Sequence, residues 1–208
     1  MRGKPPASRD GPRGRVYFCH IWWDKHEETE AFVEAFDRLK KDGKVRAVGV
    51  STNDLDHIKH FDRDGGLDVV QLDYSILNRV PEREVLPYLE ERGIKVVRGP
   101  LRMGILTGKF SEETTFPEGD IRDDWPQERW FEESLRKVER LRPLADERTL
   151  GQLALRYVLG HEAVSVAIHV AKSPSRWRRT RRHPCAPPLR GGPPTHPRGR
   201  ATLTLSLY

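Results

Sequence analysis

The sequence has few cysteines, no long apolar run and, in its last 46 residues, no acidic side chain. The two cysteines, Cys19 and Cys185, lie in unrelated contexts without a CxxC spacing, which argues against a disulfide framework and against a zinc site. No apolar stretch approaches the ~18 residues of a membrane span, and the N-terminus lacks the apolar core of a signal peptide. These absences favour a cytoplasmic protein that does not bind membranes.

The net charge is unevenly distributed along the chain. The formal charge is +6 over 208 residues, but residues 1–15 carry +4, residues 16–162 carry −7 and residues 163–208 carry +9. The net positive charge therefore lies in two ends without hydrophobic periodicity, and the part that can fold is acidic. A nucleic-acid partner is not predicted, and binding through the Arg-rich tail with Trp177 is the lowest-ranked alternative.

Short β-branched runs alternate with amphipathic segments from residue 16 to residue 168. The predicted strands are residues 16–21, 45–51, 67–72, 94–97 and 163–168, and the predicted helices are residues 27–41, 53–61, 81–92, 130–141 and 149–159. Strands that are short, mainly apolar and separated by helices indicate a parallel sheet with helices outside it. The predicted fold class is α/β with about five parallel strands. The chain is shorter than the ~250 residues of a complete (β/α)8 barrel.

Both ends of the sequence predict disorder. Residues 1–15 and 175–208 are rich in Arg, Pro and Gly and carry no apolar period except a short Leu/Thr alternation at the end. Residues 175–180 (SRWRRT) result when codons for Glu-Gln-Val-Glu-Glu-Asn are read one base late. Our hypothesis is that the tail from residue 175 is translated out of frame, which leaves residues 16–174 as the folded part.

Five motifs occur in a fixed order within residues 16–174. They are residues 18–20 (FCH), 43–51 (GKVRAVGVS), 68–71 (DVVQ) with Tyr74 and Arg79 after them, 99–110 (GPLRMGILTGKF) and 166–174 (VAIHVAKSP). In this order and at this spacing they resemble the aldo-keto reductase family. The resemblance implies a TIM barrel, here partial, that uses NADPH to reduce the carbonyl of a small aldehyde or ketone. The resemblance does not predict the oligomeric state.

The resemblance assigns roles to residues at the carboxyl ends of strands, where barrel sites form. His20 matches the catalytic histidine, which holds the carbonyl oxygen of the substrate. Ser51 and Gln71 match residues that hydrogen-bond the nicotinamide carboxamide, which needs both a donor and an acceptor. On the residues alone, a structural histidine and polar strand ends are the alternatives.

Three further residues are predicted to bind the cofactor. Arg98 stands where many family members carry a tyrosine stacked on the nicotinamide, although a surface ion pair is the alternative. Leu101 lies in the matching cofactor loop, and Lys172 matches the cation that binds the 2′-phosphate of NADP. No metal site is predicted.

The chain also departs from the family pattern. The family's Ser-Asn pair is Ser51-Thr52 here, and its Ile-Pro-Gly-Ala loop is residues 168–171 (IHVA). The catalytic tyrosine, lysine and aspartate have no match in the sequence. We therefore expect an N-terminally truncated reductase with little or no turnover by itself, and a non-catalytic NADP(H)-binding pseudoenzyme or sensor is the alternative.

Overall fold

The strands of this protein are short, and the strand pairs that the structure describes are parallel. A computed structural model describes residues 16–20, 29–97, 99–170 and 202–206. The chain divides into two units, Met1–Gln71 and Leu72–Tyr208, each of which combines helices with parallel strands.

The described residues of the first unit form three strands and two helices. They are β1 (Val16–His20), α1 (Thr29–Lys41), β2 (Ala47–Ser51), α2 (Leu55–Phe61) and β3 (Val69–Gln71). Strand β1 pairs with β2 over five residues, and β2 pairs with β3 over three. Helix α1 carries Glu30 in its first turn and basic residues in its last, which suits the helix dipole.

The two faces of this first sheet differ in burial. The ring of Tyr17 contacts Phe36 of α1 edge-on at 6.3 Å, so Tyr17 and its alternate neighbours point to the helices. On that helix face Cys19, Val48, Val50 and Val70 are all at most 4% exposed. The opposite face carries Val16, Phe18 and His20 of β1 with their register partners, Ala47, Gly49, Ser51, Val69 and Gln71. We call it the open face, because all of these residues except Gly49 and Ser51 are half-buried or exposed.

The described residues of the second unit form three strands and three α-helices, besides short 3₁₀ turns. They are α3 (Val85–Glu91), β4 (Lys95–Val97), α4 (Arg129–Leu141), α5 (Leu150–Leu159), β5 (Val164–Val170) and β6 (Thr202–Ser206). Strand β5 pairs in parallel with both β4 and β6. Five aromatic rings from the segment before α4 and from its first turn pack edge-on or tilted against one another: Phe110, Phe116, Trp125, Trp130 and Phe131.

The five predicted strands and the five predicted helices are confirmed, with bounds that shift by a few residues. The largest shift is at the predicted helix of residues 81–92. Residues Val80–Glu82 form a separate 3₁₀ turn, and the backbone of Glu84 (φ −137°, ψ −46°) interrupts the helix before α3 begins. Pro81 suits the first turn of a helix, but the segment after it does not continue as one.

One segment differs in kind from the prediction. Thr202–Ser206 lies in the tail predicted to be disordered, yet it forms β6, with Val166 opposite Thr202 and Val170 opposite Ser206. The alternation of Thr and Leu there suits a strand, and composition counted over the whole tail hides so short a pattern. Residues 1–15 and the rest of the tail beyond residue 174 lie outside the described residues. Among the described helices, none combines the length and the apolar character that a bilayer crossing requires.

Candidate functional site

Three of the predicted site residues are direct neighbours across the first sheet. His20 of β1 lies opposite Ser51 of β2, and Ser51 lies opposite Gln71 of β3. Each is the last residue of its strand. Neighbouring strands lie about 4.8 Å apart, so the three Cα atoms span on the order of 10 Å. Since register partners in a parallel sheet point to the same side, all three side chains belong to the open face.

These three residues differ in exposure. Ser51 is only 5% exposed, whereas Gln71 is half-buried and His20 is exposed. A buried hydroxyl can donate one hydrogen bond and accept others, and a glutamine amide offers both a donor and an acceptor. Side by side, Ser51 and Gln71 provide both the hydrogen-bond donor and the acceptor that a carboxamide group needs. His20 adds a third polar group that can donate a proton or a hydrogen bond beside them.

The backbone after Ser51 is fixed by local hydrogen bonds. The hydroxyl of Thr52 accepts from the N–H of Asp54 at 3.1 Å, and the Asp54 carboxylate accepts from the N–H of His57 at 2.9 Å. Asp54 is thus the N-cap of α2. These two hydrogen bonds connect Thr52, which directly follows Ser51, to the first turn of α2.

Leu101 lies in a strained turn of the second unit. Leu101 has φ −101° and ψ 5°, whereas Arg102 (φ 46°), Met103 (φ 50°) and Gly104 (φ 97°) all have left-handed φ values. A right-handed residue followed by a left-handed one directs successive N–H groups to one side, as in the nests that bind anions. Two left-handed residues with side chains cost of order 1–3 kcal/mol each, and such strain clusters at functional sites.

A carboxylate supports this turn. Asp73 Oδ2 accepts from Arg102 Nη1 at 2.5 Å, and the main-chain oxygen of Asp73 accepts from Asn78 Nδ2 at 2.7 Å. The guanidinium of Arg102 is therefore held against the segment that follows residue 72, which helps to offset the strain at Arg102. Leu101 itself is half-buried.

The remaining predicted site residues, Arg98 and Lys172, lie outside the described residues. Within the described chain, no group of three His, Cys, Asp or Glu side chains is placed to hold a metal ion. Cys19 is buried on the helix face, and burial raises the pKa of its thiol, which makes it a weak nucleophile.

The sequence did not predict a polar network centred on Glu82, in which Tyr74 and Tyr157 are buried and Arg79 is exposed. Its Oε1 atom accepts from the hydroxyl of Tyr74 at 2.9 Å and from the hydroxyl of Tyr157, and its Oε2 atom accepts from Arg79 Nε at 3.0 Å and Nη2 at 2.7 Å. Burial raises the pKa of Tyr74 far above its ordinary value and, with the Glu82 hydrogen bond, the pKa of Tyr157 to about 12. Tyr74 and Arg79 belong to one of the motifs, but no sequence signal links them to Tyr157.

Parallel strands with helices packed on them, and polar side chains at the carboxyl ends of those strands, define an α/β protein with a candidate site at one edge of its sheet. The sequence model of the Aldo/keto reductase family matches residues 15–182, and the chain belongs to that family. This confirms the family predicted from the motifs.

Two curated relatives show the extent of the similarity. The chain is 33% identical over 165 residues to the aldo-keto reductase YhdN of Bacillus subtilis, covering 76% of this chain and 50% of that protein. It is 32% identical over 149 residues to an NADH-specific methylglyoxal reductase of Escherichia coli, covering 70% of this chain and 46% of that protein. The chain thus spans about half the length of the curated relatives it matches.

Solved structures agree with these matches. The glycerol dehydrogenase of Gluconobacter oxydans has a TM-score of 0.67 and 30% identity, with 77% of this chain and 50% of that one covered. The holo form of an aldo-keto reductase from Bacillus halodurans has a TM-score of 0.61 and 29% identity, with 84% of this chain and 56% of that one covered. The predicted α/β class with parallel strands is therefore confirmed.

Proposed function

We propose that this chain forms the nicotinamide-binding part of an oxidoreductase that reduces an aldehyde or a ketone with NADPH. The observation that carries the proposal is the register of His20, Ser51 and Gln71, which places three polar side chains side by side at the carboxyl ends of three strands. Family membership supports it, since the chain belongs to the aldo-keto reductases.

The residues of the first unit suit a nicotinamide group. Ser51 and Gln71 would bind the carboxamide and fix the orientation of the ring, while His20 would donate a hydrogen bond to the carbonyl oxygen of the substrate. When bound, the cofactor supplies the hydride. The buried position of Ser51 limits competition from water for its hydroxyl.

The turn around Leu101 is a candidate anion site of the second unit. Its backbone changes from right-handed to left-handed between Leu101 and Arg102, a geometry that favours phosphate oxygens, although the N–H of Arg102 donates to the main-chain oxygen of Gly99 at 3.4 Å. We propose that Leu101 contributes to binding through its backbone, with Arg98 and Lys172 as the further cofactor ligands that the resemblance implies.

Cofactor titration tests the proposal directly. Quenching of tryptophan fluorescence by NADPH and, separately, by NADH gives two dissociation constants for the 208-residue protein. A lower constant for NADPH is expected, and the reverse order would contradict the NADPH assignment; the relative named as NADH-specific makes this comparison necessary. The Gln71→Ala substitution should weaken binding by about tenfold, as expected for a lost hydrogen bond of about 1.4 kcal/mol. The Gln127→Ala substitution at an exposed glutamine is the control.

Turnover separates an enzyme from a binding module. We expect binding of NADPH with little or no oxidation of it in the presence of a generic aldehyde, because the sequence offers no match to the family's catalytic tyrosine, lysine and aspartate. Appreciable turnover that falls in the His20→Ala variant would overturn this expectation and would show that the chain is a working reductase.

A further inference from the structure

The second unit has a surface groove whose described lining includes no residue predicted to bind the cofactor. Its volume is about 680 Å³, and it is lined by residues 110–113 on one side and by four residues of α4 on the other: Leu135, Arg136, Glu139 and Arg140. These helical residues follow the spacing i, i+1, i+4 and i+5, so they form one stripe along the helix surface. Pockets for small molecules have volumes of about 300–1,000 Å³, and this groove falls within that range.

The apolar part of the lining is held in place by its neighbours. Leu135 is only 7% exposed, and Phe110 is half-buried. The ring of Phe110 contacts the rings of Phe116 and Phe131 at centre-to-centre distances of 5.4 and 6.1 Å. Lys109 Nζ also lies over this ring, 4.5 Å from its centre, although Lys109 does not line the groove. Because this surface is already ordered, a ligand with an apolar body loses little entropy to the protein on covering it.

Residues 111–114 form a tight turn that presents two carboxylates to the groove. The N–H of Thr114 donates to the main-chain oxygen of Ser111 at 3.1 Å, and the hydroxyl of Thr114 accepts from the N–H of Ser111 at 2.8 Å. Glu112 and Glu113 therefore occupy the two central positions of the turn. Both are exposed, and neither forms an ion pair with a described residue. Two adjacent carboxylates without a counter-ion favour a cationic group beside them.

The helical side of the groove carries the opposite charge. Glu139 accepts from Arg142 Nε at 2.9 Å and from its Nη2 atom at 2.6 Å, and Arg136 donates to Glu132 one helical turn earlier. These two pairs neutralise their own members. Arg140 is exposed and forms no ion pair within the described part of the chain. The groove thus presents two unbalanced carboxylates on the turn and one unbalanced guanidinium on the helix.

Two simpler occupants suit this lining less well. A metal ion needs several ligands, and among the described residues no group of three His, Cys, Asp or Glu side chains is placed to hold one. A simple anion at Arg140 would also meet the carboxylates of Glu112 and Glu113. A molecule with separated charges satisfies both sides of the groove, and its apolar middle would cover Phe110 and Leu135.

We propose that this groove binds a small zwitterion with an apolar body, whose ammonium and carboxylate groups lie at opposite ends, as in an ω-amino acid. The ammonium group lies at Glu112 and Glu113, the body over Phe110 and Leu135, and the carboxylate at Arg140. Leu135 and Arg140 are about 7.5 Å apart along the axis of α4, a span that one aromatic ring with a short chain can cover. The inference concerns the second unit and does not depend on cofactor binding.

Titration with three matched compounds tests the proposal. The zwitterion 4-(2-aminoethyl)benzoate carries both charges, phenethylamine lacks the carboxylate and 4-ethylbenzoate lacks the ammonium group. Amide chemical shifts of the isotope-labelled 208-residue protein give the dissociation constants and locate the site. We expect shifts in residues 110–113 and 135–140, with the zwitterion bound about fivefold more tightly than the amine, and the amine more tightly than the acid. Added salt should weaken binding of the zwitterion, because exposed charges are screened.

Substitutions separate the two charged ends. The double variant Glu112→Gln with Glu113→Gln should weaken binding of the zwitterion and of the amine by about fivefold each. Arg140→Gln should reduce the affinity for the zwitterion to that for the amine, without weakening the amine. Glu118→Gln is the control, at an exposed glutamate of the same segment that does not line the groove. All of these side chains are exposed, so circular dichroism should show that each variant is folded.

Four results would overturn the proposal: no shift in the groove residues with the zwitterion, equal affinity for the three compounds, equal effects of the double variant and the control, or self-association of the chain that Arg140→Gln abolishes. The last result would assign the groove to a second copy of the chain. Cofactor affinity is measured separately, so binding of the zwitterion without binding of NADPH would refute the proposed function and support this inference.

Discussion

Phe18 lies directly across Gly49 of the neighbouring strand. A Cβ atom added to Gly49 would come within 2.5 Å of the ring atom Cε1 of Phe18 and within 2.5 Å of the main-chain oxygen of Val69. The oxygen belongs to the backbone of β3 and cannot move without shifting that strand. Glycine is therefore required two residues before Ser51, and the close approach helps to set the register that aligns His20, Ser51 and Gln71.

Substitution of Gly49 should destabilise the first unit. We expect Gly49→Ala to lower the free energy of unfolding by about 1–3 kcal/mol, because the added methyl group overpacks the sheet. Urea unfolding followed by circular dichroism measures the change. Gly66→Ala is the matched control, since its added Cβ would meet only Asp37 Oδ1 at 4.0 Å. Equal stability of the two variants would contradict the steric argument.

Asp68 connects three parts of the first unit. Its Oδ2 atom accepts from the N–H of Val48 at 2.9 Å and from Lys40 Nζ at 2.9 Å, and Lys40 Nζ also donates to the main-chain oxygen of Gly66 at 3.2 Å. We expect Asp68→Ala to lower the free energy of unfolding by about 1–3 kcal/mol, because a half-buried N–H group loses its acceptor.

An exposed ion pair provides the comparison for Asp68. Asp42 accepts from Lys44 at 2.8 Å, but the side chains of both residues are more than 40% exposed. Asp42→Ala should leave the urea midpoint unchanged, because exposed pairs contribute little. If the two aspartate variants lose the same stability, the main-chain contact of Asp68 is not the source of its effect.

Local sequence signals predicted most of the fold. The short β-branched runs and the spacing of the helices depend on neighbouring residues, and the structure confirms them. The N-cap of α5 is equally local, since the hydroxyl of Thr149 accepts from the N–H of Gln152 at 3.2 Å. Contacts between distant parts of the chain have no such signal: Tyr157 is 75 residues from Glu82, and Thr202–Ser206 pairs with a strand more than 30 residues earlier.

The candidate site likewise combines features that the sequence predicts with features that it does not predict. Strand-end positions for His20, Ser51 and Gln71 follow from periodicity, and their common edge follows from the parallel order of strands. The strained turn at Arg102 and Met103 does not follow from the sequence, because left-handed φ values are rare for residues with side chains. Its support by Asp73 depends on an ion pair between residues 29 positions apart.

The capping box of α5 gives a prediction with a conservative control. Thr149 Oγ1 accepts from the N–H of Gln152, and Gln152 Oε1 accepts in return from the N–H of Thr149 at 2.9 Å. Thr149→Ala should lower the free energy of unfolding by about 1 kcal/mol, whereas Thr149→Ser keeps the hydroxyl and should cost much less. Thermal unfolding of the unsubstituted protein and of both variants measures these effects. A serine variant as unstable as the alanine variant would contradict the capping role of the hydroxyl.

Glu82 should make stability depend on pH. Burial acts to raise its pKa, but hydrogen bonds from Arg79, Tyr157 and Tyr74 together outweigh burial and hold the pKa below its ordinary value. Because the unfolded chain then binds the proton more tightly, Glu82 stabilises the fold above about pH 4, and this contribution is lost as the pH falls through the lowered pKa.

The Glu82→Gln variant tests this pH dependence. We expect it to be less stable than the unsubstituted protein by roughly 1–3 kcal/mol at pH 7, with a difference that shrinks on acidification. Urea unfolding at several pH values between pH 3 and pH 7 measures it. Glu147→Gln, at an exposed glutamate, is the control, and a difference for Glu82→Gln that stays constant over this range would contradict the assignment.

Asp146 adopts a backbone conformation that favours glycine. Its φ of 53° and ψ of −129° lie in a region where a Cβ atom is strained, and its carboxylate lies 3.9 Å from Arg148 Nη1. Asp146→Gly should therefore raise the free energy of unfolding by about 1 kcal/mol, since the relief of strain exceeds the entropic cost of glycine. Asp146→Asn keeps the Cβ atom while removing the charge, so thermal unfolding should show no such gain for it. Equal stabilisation by both substitutions would assign the effect to charge and not to backbone strain.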